Sequence, residues 1–293
     1  VILLTITALQ GTTIDGANAS RWLSIPILGM SFQTSTLATV VLLAYVADYF
    51  ATKREIKIRF TESLIPLWLP VFVVVGLILP ANLSTALLLL FMVAVVAFLG
   101  GYPLKYLLGM LGFAILGLVI FVLLAKAYPD AFPNRVDTWM SRIDSFSGNG
   151  TSTTDYQIER AKAAVAVGGV VGIGAGKSMM KNVLPQSSSD FIYAIIDEEY
   201  GMIGALFLLF LFLLLLFRIL INDNKPESFF GQLLILAMGI PIVTQAFINM
   251  GVAVALLPVT GQPLPLISSG GTSLWMTFLA IGIILSVSAN RKA

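Results

Sequence analysis

The chain has 293 residues, 58% hydrophobic and 11% charged, with mean hydropathy +0.94 and a formal net charge of +2. A soluble domain carries roughly 25% charged residues, so these values exclude an ordinary soluble enzyme, and the small net charge argues against nucleic-acid binding. Without Cys there is no disulfide or thiol nucleophile, and without His any general base must be Asp, Glu, Lys, Tyr or an activated water.

Apolar runs near span length predict a polytopic helical membrane protein. The chain opens at Val1 inside an incomplete apolar stretch, residues 1–10, which reads as a trimmed start without a signal-peptide pattern. Candidate spans follow at 33–51, 62–80, 82–100, 104–127, 190–220, 228–257 and 272–289. The Pro/Asn turn "LPANLS" (79–84) joins two of them into a hairpin. "TKREIKIRF" (52–60) packs four basic residues just past a span, which the positive-inside tendency assigns to the cytoplasm. Alternation then puts Lys105, the 218–227 loop and the "NRKA" tail inside. Residues 11–30, 128–189 and 258–271 fall outside with the 79–84 turn.

Eight of the 17 basic residues are then external: Arg21, Lys126, Arg135, Arg142, Arg160, Lys162, Lys177 and Lys181. A solvated loop accounts for them, because the positive-inside bias fades in long loops. So does an anionic ligand at the outer face, where a diphosphate would suit Arg and Lys donors.

"GGVVGIGAGKS" (168–178) has the flavour of a P-loop. The motif requires Gly five residues before the Gly-Lys-Ser, and Val171 stands there. Its glycines instead predict a short helix or re-entrant turn packed closely at the membrane surface.

"SSSDFIYAIIDEEYGMIGALFLLFLFLLLLF" (187–217) opens on a carboxylate and continues as a long apolar helix. Ser188 or Ser189 can cap it, and Asp190 in the first turn favours the helix dipole, so capping alone would account for the Asp. Positions 190, 197 and 198 share a helix face, about 10–12 Å apart along the axis. Asp190, Asp197 and Glu198 are therefore expected to line one polar cavity without forming a catalytic pair. Gln245 and Asn249, at i and i+4, form a polar stripe that faces that cavity or bonds between helices. "LLPVTGQPLPLISSGGTS" (256–273) holds three prolines and three glycines, cannot stay helical, and is predicted to line the cavity.

Six stretches occur together: "NASRWL" (18–23), "FQTS" (32–35), "YQIERAKAAVAVGG" (156–169), "LPQSSSDFIYAIIDEEYGMIGA" (184–205), "QAFINMG" (245–251) and the 256–273 segment. In this order they resemble the SEDS polytopic glycosyltransferases of bacterial cell-wall synthesis, FtsW and RodA, and the pattern is closer to FtsW. The resemblance implies an all-α polytopic membrane protein, a SEDS-type helical bundle forming a single domain over residues 1–293. Ten spans are expected in the family and about eight here, the first two being absent, with a large extracellular loop at 128–189.

The resemblance further implies an inverting peptidoglycan glycosyltransferase in the bacterial inner membrane. Its active site faces outward and polymerises lipid II into glycan strands linked to undecaprenyl diphosphate. The partner implied is a class B penicillin-binding protein. Asp190 matches the essential carboxylate, as general base or as ligand of a divalent cation (Mg or Mn); no nucleotide cofactor is expected. Arg21, Arg135, Arg142, Lys177, Gln245, Asn249, Thr260 and Ser268 are the candidate substrate and diphosphate contacts. Thr36, Thr39 and Asn82 depart from the family's Glu, Lys and Asp, which leaves Asp190 as the surviving carboxylate with a catalytic claim. A lipid II flippase or transporter, or a non-catalytic division or shape scaffold, are the alternative functions.

Overall fold

The computed structural model describes residues 1–11, 22–25, 30–54, 58–127, 153–223 and 228–289. The chain starts with α1 (Ile2–Gln10), then a hairpin of β1 (Trp22–Ile25) and β2 (Met30–Gln33), then α2 (Thr34–Thr52). The strands pair antiparallel with Trp22 opposite Gln33 and Ile25 opposite Met30. This hairpin is too short to announce itself in the hydrophobic pattern, and β2 runs directly into α2.

α3 (Phe60–Ile78) carries a π-helical turn at Leu64–Trp68. Pro66 and Pro70 each remove an N–H from the helical ladder, and the turn widens around them. Asn82 caps α4 (Leu83–Leu99), its side chain accepting from the Thr85 N–H at 3.1 Å. α5 (Leu104–Ala127) leaves most of its described side chains exposed, which suits a helix bathed in lipid. After α6 (Thr153–Gly168) and a 3₁₀ turn at Met180–Asn182 comes α7 (Ile192–Asp223). α8 (Phe229–Ala253), capped by Ser228, and α9 (Gly271–Ala289) complete the bundle.

Five of these helices are long and apolar enough to cross a membrane, and α4 and the first part of α5 are shorter apolar helices. Each span expected from the sequence is a helix here, with boundaries shifted by a few residues, except that two expectations at the 190–220 span fail. Helix α7 starts at Ile192, so Asp190 lies in the turn before it and not in its first turn. The helix also breaks at Gly201, whose φ of 68° and ψ of −173° belong to glycine alone. Residues 192–200 therefore form a short arm, and 202–223 the long apolar arm.

The loop after α6 fills that break. The N–H groups of Ile173 and Gly174 donate to the carbonyls of Glu198 and Glu199 at 3.1 and 3.0 Å. In return, the Gly169 and Val170 carbonyls accept from Met202 and Ile203 at 2.9 and 3.2 Å. The end of one arm and the start of the next thus gain partners that a broken helix lacks. Glycine makes the approach possible: a Cβ on Gly172 would lie 2.3 Å from the Glu199 carbonyl oxygen. One on Gly168 would lie 2.1 Å from that of Asp197.

Two buried clusters result. The larger joins α1, α2, α3, α4, α8, α9 and Ile219 of α7, and the smaller joins α6, both arms of α7 and the C-terminal half of α8. At one end of the larger cluster, Tyr102 accepts from Trp68 Nε1 at 3.1 Å, bonds Ser63 at 2.8 Å and packs edge-on to Phe50. Arg54 lies over the Phe229 ring at that same end. The 79–84 turn, the Asp190 turn and the 261–273 segment gather at the opposite end.

Candidate active site

A cavity of about 770 Å³ opens between α2, α4, α8 and α9. Asp190 and Gln186 meet it from the turn before α7, and Gly261, Gln262 and Pro263 from the irregular segment after α8. Thr36 and Thr39 face it from α2, Asn82 and Thr85 from α4, Gln245 from α8, and Thr277 from α9. Deeper down the wall is apolar, with Leu89, Met92, Ala237 and Met238. Among the described residues lining it, Asp190 is the only charged side chain.

Asp190 is held by its main chain. The turn before it folds on the Gln186 carbonyl, which accepts from the N–H groups of Ser189 and Asp190 at 3.1 and 3.0 Å. Gln186 sits at φ 56°, left-handed for a non-glycine residue, so the surrounding bonds over-determine this turn. The carbonyls of Ser188, Ser189 and Asp190 are then tied in succession, the first two to the irregular segment after α8 and the third to α8 itself. Ser269 donates its N–H and its hydroxyl to Ser188, at 2.9 and 3.0 Å. Ser268 donates its hydroxyl to Ser189, and Asn249 Nδ2 donates to Asp190 at 2.7 Å. Asp190 Oδ2 is close to Gly261, where a Cβ would come within 3.4 Å of it; Gly261 has φ 66°. The carboxylate is thus presented at the cavity from a backbone that cannot drift.

The same bonds shape the segment opposite. Asn249 donates also to the Gln262 carbonyl at 2.8 Å, and Gln245 Nε2 to that of Pro263 at 3.0 Å. Gln262 Nε2 reaches Thr85 Oγ1 at 2.9 Å. Thr272 couples this end to the hairpin, donating to the Ser31 carbonyl at 3.1 Å.

The structure gathers some of the sequence candidates and separates others. Asp190 and Gln245 line the cavity, whereas Asn249 is fully buried behind it and grips backbone. Ser268 and Thr260 lie off the lining as well: Ser268 bridges Leu264 and Ser189, and Thr260 Oγ1 is buried without a hydrogen-bond partner. Lys177 is exposed, on the glycine loop away from the cavity lining. Arg21, Arg135 and Arg142 lie outside the described residues.

Asp197 and Glu198 do not share the cavity with Asp190, because Asp190 lies in the turn before α7 and so off the helix face they occupy. Glu198 is fully buried and accepts from the Ser178 hydroxyl and from the N–H of Met179 at 3.0 Å. It pins the 3₁₀ turn. The cavity residues Gln33, Thr36, Thr39, Thr85, Gln262 and Thr277 were not singled out as site residues from sequence. A polar stripe on α2, Gln33 to Thr39 at steps of three, was the available signal for three of them.

The family model described as a cell cycle protein, covering FtsW, RodA and SpoVE, matches residues 1–293. A probable peptidoglycan glycosyltransferase FtsW of Enterococcus hirae is 33% identical over 290 residues, 95% of this chain and 70% of the relative. That of Geobacter sp. (strain M18) is 34% identical over 295 residues, 99% and 77%. Among solved structures, one described as "Structural coordination of polymerization and crosslinking by a peptidoglycan synthase complex" is similar at TM-score 0.77 and 28% identity. It covers 99% of this chain and 78% of that one. The rod shape determining protein RodA of Thermus thermophilus is similar at TM-score 0.66 and 27% identity, covering 100% and 76%. With the whole chain matched and the fold shared, the chain belongs to the FtsW/RodA/SpoVE family.

Proposed function

We propose that the chain is a peptidoglycan glycosyltransferase that polymerises lipid II at the outer face of the bacterial inner membrane. The observation that carries this reading is one carboxylate, Asp190, held by three consecutive carbonyl ties at a cavity otherwise neutral among its described lining residues. Strand growth forms one bond from a sugar hydroxyl oxygen to an anomeric carbon and breaks the bond from that carbon to the lipid diphosphate. The hydroxyl proton must go somewhere as the new bond forms, and Asp190 is the base within the cavity that can take it. The rigid seam behind it supports proximity catalysis, since a drift near 1 Å is already costly.

The departing diphosphate needs positive charge. The exposed Lys177 and the basic residues Arg21, Arg135 and Arg142 are our candidates for it. A divalent cation would supply the same neutralisation. Among the described residues no three Asp, Glu, His or Cys side chains cluster as an all-protein metal site. Magnesium commonly makes do with one or two carboxylates plus substrate phosphates, so the residue that would hold it is Asp190. The peptidoglycan synthase complex among the structural relatives supports a cross-linking partner of the class B penicillin-binding type.

The test is reconstitution of the full-length protein in vesicles carrying lipid II. Glycan strands formed without any other synthase are the expected product. Movement of lipid II between leaflets with no strands would replace this reading with transport.

A further inference from the structure

Glu198 is a fully buried carboxyl group that the transfer itself does not use. It stands on the short arm of α7, off the cavity lining, and its side chain is committed to one segment. Oε2 accepts from the Ser178 hydroxyl and Oε1 from the Met179 N–H at 3.0 Å. The Met180 N–H lies 3.4 and 3.3 Å from the two oxygens. These N–H groups open the 3₁₀ turn, where no carbonyl of the turn can reach them.

The grip extends in both directions along the chain. Toward Asp190, Ser178 Oγ accepts from the Lys181 N–H at 3.0 Å, and the Met180 carbonyl accepts from that of Leu184 at 2.8 Å. Ser187 then bonds back twice, its hydroxyl to the Lys181 carbonyl at 2.8 Å and its N–H to the Leu184 carbonyl at 3.2 Å. Gln186, next to it, carries the turn that holds Asp190. Toward the glycine loop, Ser178 follows Lys177, whose N–H donates to the Gly174 carbonyl at 3.2 Å. Gly174 is itself bonded to the Glu199 carbonyl. The backbone at Lys177 is thus tied to α7 through Glu199 on one side and through Glu198 on the other. A carboxylate offers only acceptors, so it can gather two N–H groups and a hydroxyl at one point.

We infer that Glu198 is a positioning residue: its carboxylate clamps the segment from Ser178 to Asn182 to α7, and so holds Lys177 and the Asp190 turn in one frame for the transfer. The inference rests on the glycosyltransferase reading, which names the base and the candidate diphosphate donor but not what keeps them in register.

The chain has no cysteine, so labels can be placed one at a time. Spin labels at Lys177→Cys and at Phe217→Cys, exposed on the long arm of α7, report how firmly the segment is held in the full-length protein in vesicles. Without labels, Glu198→Leu, Glu198→Gln and Ser178→Ala are compared for kcat/KM on lipid II, per folded molecule and well below their thermal midpoints. In Glu198→Leu the label-to-label distance distribution should broaden, and kcat/KM should fall about 10²-fold, the cost of a misplacement near 1 Å. Glu198→Gln keeps one accepting oxygen and should recover most of both losses. Ser178→Ala removes only a hydroxyl and should lose about tenfold, the worth of one hydrogen bond to a carboxylate. An unchanged distance distribution in Glu198→Leu overturns the inference. So does an unchanged kcat/KM in both Glu198→Leu and Ser178→Ala, or no recovery by Glu198→Gln. If Glu198→Leu does not fold, Ser178→Ala decides by the same two readings. The distance reading needs no turnover, so it separates a failed clamp from a failed glycosyltransferase reading.

Discussion

At the scale of single residues, Asn249 shows how a buried amide can position a reactive group it never touches. Its two donated bonds hold the Asp190 carbonyl and the Gln262 carbonyl together, 59 and 13 residues away in sequence. Asn249→Ala leaves two carbonyls without a donor, at about 1–3 kcal/mol each, so a clear fall in thermal midpoint and in polymerisation rate is expected. Asn249→Asp should be worse, since a carboxylate would then face carbonyl oxygens. A midpoint unchanged in both would show that the seam does not depend on this amide. The chain pattern pointed to Asp190 itself, but put Gln245 and Asn249 together on one cavity-facing stripe. Only Gln245 faces the cavity, because helical periodicity is blind to the irregular segment that takes up Asn249 from the other side.

At the scale of elements, the break at Gly201 divides the 190–220 span into two arms joined through the loop after α6. Hydropathy saw one continuous span there, as a glycine within an apolar run reads as tolerated. What it could not see is the loop 169–174 supplying the missing donors and acceptors. That loop is also why "GGVVGIGAGKS" needs its glycines, as the close-packing reading anticipated. Gly201→Ala would force a Cβ to within 2.4 Å of the Gly172 nitrogen, on a backbone that disfavours any side chain. The dihedral alone costs about 1–3 kcal/mol, and thermal unfolding should register more. Gly76→Ala, mid-helix in α3 with nothing near the added Cβ, is the control and should be neutral or slightly stabilising. Equal midpoints for the two variants would contradict the clasp.

At the scale of the whole molecule, seven apolar helices were legible because span length and apolar composition are local properties. The β1–β2 hairpin was not, because four-residue strands are too short to set up a hydrophobic alternation, and the shape of the cavity was not, because it arises from contacts between segments distant in sequence. Among the described residues the cavity lining carries one carboxylate, Asp190, and the exposed Lys177 lies outside that lining. Lys177→Ala should leave stability intact, and a contact between a charged group and phosphate is worth about 1.5–3 kcal/mol. A fall of roughly ten- to hundredfold in kcat/KM for lipid II is therefore expected, and unchanged kinetics would reduce Lys177 to a solvated charge. The measurement closest to the central claim is the polymerisation rate of purified Asp190→Asn beside its thermal midpoint. Asn preserves the backbone seam and the side-chain size but cannot take a proton, so the account predicts a loss of about 10²–10⁴-fold with an unchanged midpoint. Near-normal polymerisation by that variant would contradict it.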